Sequence, residues 1–132
     1  MSPDTHAVVG VWEVLADGAP FRHHVMTFHA DGTMLQSNPD HGNRITSDSN
    51  GMGVWQAEGP RVTGAFLEFT VDRNDQELVT KGIVAFGLLV SGTSFSGTAT
   101  ANFYDLAGGL LAGPLAAELT GVRFRPVIDG AS

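Results

Sequence analysis

The chain has 132 residues, 42% hydrophobic and 16% charged, the balance of one globular domain rather than of a disordered segment. Seven Lys and Arg against 14 Asp and Glu give a formal net charge of −7, which disfavours nucleic acid and anionic membrane as partners. Cysteine is absent, which excludes a disulfide framework and thiolate chemistry, and 17 glycines suit turns and bent strands better than long helices.

Met1 to His6 has neither the basic start nor the apolar stretch of a signal peptide, so a cytoplasmic location is expected. The first strand is read at Gly10–Ala16, closed by the turn signal Asp17-Gly18. The second runs Phe21–His29 to Asp31-Gly32; Met26 and Phe28 mark its inner face and carry His24 with them, which leaves His23, Val25, Thr27 and His29 outside. The third is Thr33–Asn38. The stretch from Ser37 to Gly51 is polar and lacks strand character, and a loop of that length is expected to lie over one mouth of the fold. Strands follow at Met52–Ala57, Val62–Val71, Glu77–Val90 (open to a bend at Gly82 or Gly87), Ser94–Tyr104 and Ala112–Phe124, separated by Glu58-Gly59-Pro60, Ser91-Gly92 and Gly108-Gly109. The longest apolar run, Ile83 to Val90, is far short of the roughly 20 residues that span a bilayer. No segment shows a capped helical period; Leu110 to Leu119 has the alanines and leucines of a helical turn, but Gly113-Pro114 sits badly inside one.

Consecutive hairpins leave unpaired edges unless the sheet closes, so the expected fold is all-β, a single antiparallel up-and-down barrel of about eight strands over 1–132. In the seventh strand Phe95, Gly97, Ala99, Ala101 and Phe103 alternate with polar residues and face in. Three small residues in a row leave room for a cavity, whose expected wall is Met26, Phe28, Trp55, Phe66, Phe86, Phe95, Ala99 and Phe103, with core packing as the alternative role for Trp55.

Gly10-Val11-Trp12 resembles the G-x-W signature of lipocalins and related calycins. Thr120-Gly121-Val122-Arg123 is similar to that family's closing strand, where an Arg packs over the Trp, and Phe28-His29-Ala30-Asp31-Gly32-Thr33 resembles a hairpin of small bacterial lipocalin-like proteins. The resemblance implies a barrel that holds a small hydrophobic molecule. It leaves carrier and enzyme both open, since similarly built allene oxide cyclases and spirotetronate cyclases fold a flexible substrate in such a cavity.

Two residues are candidates for acid–base chemistry. His24, inside an apolar cavity, would be kept neutral by burial and suit a general base; the alternative is a rim histidine bonded to a neighbour. Glu68 lies in Phe66-Leu67-Glu68-Phe69, and the alternation leaves it either inside as a general acid of raised pKa or outside in water. Tyr104, the one tyrosine, falls on the outer face by the parity of its strand. Asp40, His41, Asp48 and Asn50 match neither a zinc nor a calcium spacing, so no metal is expected, and no cofactor. Nucleophile-elbow, phosphate-loop, dinucleotide and H-E-x-x-H motifs are all absent. The functional expectation is a hydrophobic metabolite bound in the cavity by a cyclase or isomerase of polyketide or terpenoid type. The alternatives are a non-catalytic carrier and, behind it, a haem-type binder. The chain is expected to be a monomer or homodimer.

Overall fold

The computed structural model describes residues 6–39 and 45–125. They form nine strands: β1 (Gly10–Asp17), β2 (His23–Phe28), β3 (Thr33–Ser37), β4 (Thr46–Asp48), β5 (Gly51–Glu58), β6 (Arg61–Asp72), β7 (Val79–Ser91), β8 (Ser94–Tyr104) and β9 (Leu110–Arg123). Every pairing is antiparallel, and β6 pairs with β7 as well as with β5, so eight strands close in the order β1-β2-β3-β5-β6-β7-β8-β9. The barrel is therefore an up-and-down meander, and closure removes the free edges that a hairpin series would otherwise expose.

β4 is additional. It lies within the polar stretch expected to be loop and pairs with the far end of β6, Asp48 opposite Thr70. Its three polar residues carry no apolar alternation, which is why the sequence pattern gives no sign of it. β7 runs unbroken through Gly82 and Gly87, and the segment from Leu110 to Leu119 belongs to β9 rather than to a helical turn.

Side chains at one end fill the interior. Trp12, Phe28, Met34 and Val62 are fully buried there, with Leu88, Val90 and Phe95 beside them. The Trp12 indole N–H donates to the Val8 carbonyl at 2.8 Å, and the Phe95 ring lies 4.8 Å from it. Arg123, paired with Trp12 across β1 and β9, places its guanidinium 4.7 Å from the indole centroid. The guanidinium donates to the Val9 carbonyl at 2.9 Å and to the Ala7 carbonyl, so its buried face is a cation–π contact and its edge is satisfied by backbone. Gly10 makes this possible: its φ is +135°, and a Cβ there would come within 2.5 Å of the Arg123 Nη1.

Three residues expected on the cavity wall belong to this closed end instead. Phe28 and Phe95 are core, and Trp55 donates its indole N–H to the His29 and Thr33 carbonyls, both at 3.0 Å, with Phe28 edge-on to its ring. The strand alternation correctly puts Phe28 and Phe95 inside; their height along the barrel axis is what differs from expectation.

Candidate functional site

The opposite half of the barrel is not filled. Its cavity has a volume of about 640 Å³. The space arises because β8 presents Ala99 and Ala101, and β9 presents Ala112 and Ala117, where the closed end presents aromatic and branched side chains. Of the residues expected to line it, Met26, Phe66, Phe86, Ala99 and Phe103 do so, as do His24 and Glu68. Phe86 and Ala99 are direct cross-strand neighbours, so the large ring of one uses the space above the small side chain of the other.

His24 points inward from β2, between Val25 and His23 on the outer face, and is tied at both ring nitrogens. Nε2–H donates to the Phe21 carbonyl at 2.7 Å, and Nδ1 accepts from the Gln36 amide at 2.7 Å. The same amide nitrogen donates to the Asn38 Oδ1 at 2.9 Å. Burial holds the His24 pKa below the ordinary imidazole range; the Phe21 carbonyl opposes that shift, and the neighbouring His23 adds slightly to it. The ring is thus a fixed neutral tautomer with no lone pair free toward the cavity. It builds the wall and orders Gln36.

Gln36 is 2% exposed, and its Oε1 has no hydrogen-bond partner. It sits beside Gly51, where a Cβ would lie 2.4 Å from the Phe66 ring and 3.1 Å from that oxygen. Glycine at 51 therefore lets Phe66 and Gln36 share one layer of the wall.

Glu68 shares the inner face of β6 with Phe66 and Thr70, while Leu67 and Phe69 lie outside. Burial pushes its carboxyl up from 4.5 to about 7, and the negative charge of Asp48 adds to the rise. Asp48 reaches the cavity from β4 and accepts a hydrogen bond from Thr46 at 3.1 Å. Tyr104, at the end of β8, is not among the lining residues. Asp40 and His41 lie outside the described residues. Asn50 accepts from the Ser37 hydroxyl at 3.0 Å. Among the described residues no three His, Asp or Glu side chains gather as a metal site.

Gln36, Asn38 and Thr70 also line the cavity and are not among the residues that the sequence motifs single out. For Gln36 a signal existed: it shares the parity of Met34 in β3, which marks it as a polar side chain on an inward face. No protein-family model, curated protein or solved structure matches the chain.

Proposed function

We propose that the chain binds a small hydrophobic metabolite in the open half of the barrel and folds it for an intramolecular cyclisation or isomerisation, of the kind that polyketide or terpenoid intermediates undergo. One observation carries this reading: a carboxyl, Glu68, whose pKa is about 7, stands inside a cavity otherwise walled largely by Ala, Val, Leu, Met and Phe. At neutral pH such a group is populated in both protonation states, so it serves as acid or as base without a cofactor. A volume of about 640 Å³ falls within the range of small-molecule pockets. The filled floor and the apolar wall would hold a flexible substrate in a reactive conformer, which is where most of the rate gain would come from. The contact of Arg123 over Trp12 is what a lipocalin-like relationship would lead one to expect, and it supports a ligand-holding barrel.

A carrier with the same cavity is the second reading. It is favoured by His24, whose two engaged nitrogens remove one of the two candidate acid–base groups. Native mass spectrometry of freshly purified protein identifies a copurifying molecule, and incubation with that compound or its linear precursor then follows turnover. Conversion by the wild type and its loss in Glu68→Gln support the enzyme. Tight binding with no conversion by either protein leaves the carrier. A folded protein that retains no small molecule and binds no apolar probe contradicts both.

A further inference from the structure

Around the barrel, the polar lining is confined to one arc. His24 on β2, Gln36 on β3, Asp48 on β4, and Glu68 and Thr70 on β6 occupy neighbouring positions in the sheet, with Asn38 just beyond β3. The arc of β7, β8, β9 and β1 that completes the circle contributes Val84, Phe86, Ala99, Phe103, Leu115 and Val14, with no polar side chain. No Lys or Arg is found among the described lining residues. The ionisable side chains there are His24, whose pKa burial lowers, Asp48 and Glu68.

That distribution disfavours an anionic occupant. An anion brought into this space leaves water, finds no Lys or Arg among the described lining residues, and meets the Glu68 carboxylate in a medium where Coulomb repulsion is weakly screened. A hydroxyl or carbonyl group meets the opposite situation. The Glu68 carboxyl donates when protonated and accepts when ionised, and it shares the inner face of β6 with Thr70. Both lie on the same arc, so a molecule with oxygens along one edge satisfies that side while its hydrocarbon body covers β7 to β9.

We infer that the cavity selects a largely apolar molecule with hydroxyl or carbonyl oxygens along one edge, bound with that edge toward β3, β4 and β6, and that it rejects carboxylates and phosphates. This rests on the reading of the cavity as a ligand site and narrows the class of ligand.

The test compares chain-matched probes, so that apolar burial is constant and only the head group changes. The protein is loaded with the neutral dye Nile red, and dodecanol, dodecanoate and dodecylammonium compete for it above the pKa of Glu68. Dodecanol should displace the dye at least about tenfold better than dodecanoate, a difference of about 1.4 kcal/mol. Glu68→Gln, checked for folding by circular dichroism, should narrow that gap by strengthening dodecanoate. Equal or tighter binding of dodecanoate overturns the inference and leaves the cavity reading standing. Tightest binding by dodecylammonium also overturns it, by assigning the site to cations. If neither Nile red nor dodecanol binds the folded protein, the cavity reading itself fails and takes the inference with it.

Discussion

The two ends of this barrel are built from the same strands and differ in what those strands turn inward. β8 shows the change within one element: Phe95 packs on Trp12 at the floor, Ala99 and Ala101 leave the middle open, and Phe103 returns bulk near the rim. At the floor, large side chains interlock and each polar group named there has a partner, from the Trp12 indole to the Arg123 guanidinium. In the open half a Gln oxygen goes without a partner and a carboxyl is held in apolar surroundings. Interlocked packing is concentrated at one end, and groups whose burial costs stability stand at the other. The floor supplies the rigidity that lets the other half keep an unfilled space and a poorly solvated carboxyl.

Substitutions at the two ends should therefore move stability in opposite directions. The largest effect belongs to the floor. Trp12→Ala removes a fully buried indole and the platform under Arg123, and chemical denaturation should show a loss of roughly 3–5 kcal/mol. A change below about 0.5 kcal/mol would mean that the floor does not hold the barrel.

In the open half the sign reverses. The Glu68 carboxyl is protonated in both folded and unfolded chains below pH 4.5; between there and about 7 the unfolded chain ionises first, so stability falls as pH rises. Glu68→Gln, which cannot ionise, should match the wild type in mild acid and exceed it by roughly 2–3 kcal/mol above neutrality. Denaturation curves at several pH values measure this directly, and a difference independent of pH would place Glu68 in water.

A smaller loss is expected at Gly10, where Ala must adopt a left-handed φ and push against Arg123. Gly10→Ala should cost roughly 1–3 kcal/mol, and combining it with Arg123→Ala should recover the steric part.

Much of the fold is legible in the sequence because turn dipeptides and strand alternation are local properties. The Asp-Gly and Ser-Gly pairs bound the hairpins, and the alternation in β2 and β8 orients His24, Met26, Phe28, Ala99 and Phe103 inward. Period-two alternation reports which face a side chain occupies but not how far along the axis it lies, since height depends on the register between strands. That is why Phe28, Phe95 and Trp55 look like cavity residues in the sequence and prove to be floor. Glu68 is ambiguous for a different reason. Phe69 is an exposed aromatic, 42% accessible, and its presence beside the carboxyl masks the parity that Phe66 alone would give. β4 is invisible because its pairing with β6 uses backbone groups and no apolar side chain.

If the open half is a binding space rather than a packed core, Ala99→Phe shows it most directly. Ala99 faces the cavity from the middle of β8 and is 9% exposed. A benzyl group there would enter the unfilled volume, whereas in a packed core it would cost about 1–3 kcal/mol or more through strain. Nile red titration and thermal unfolding are measured on the same sample of this variant. The expected result is a folded barrel of nearly unchanged stability that no longer binds the dye. Unfolding of the variant would mean that the space was already filled, and undiminished dye binding by a folded variant would mean that the ligand site lies elsewhere.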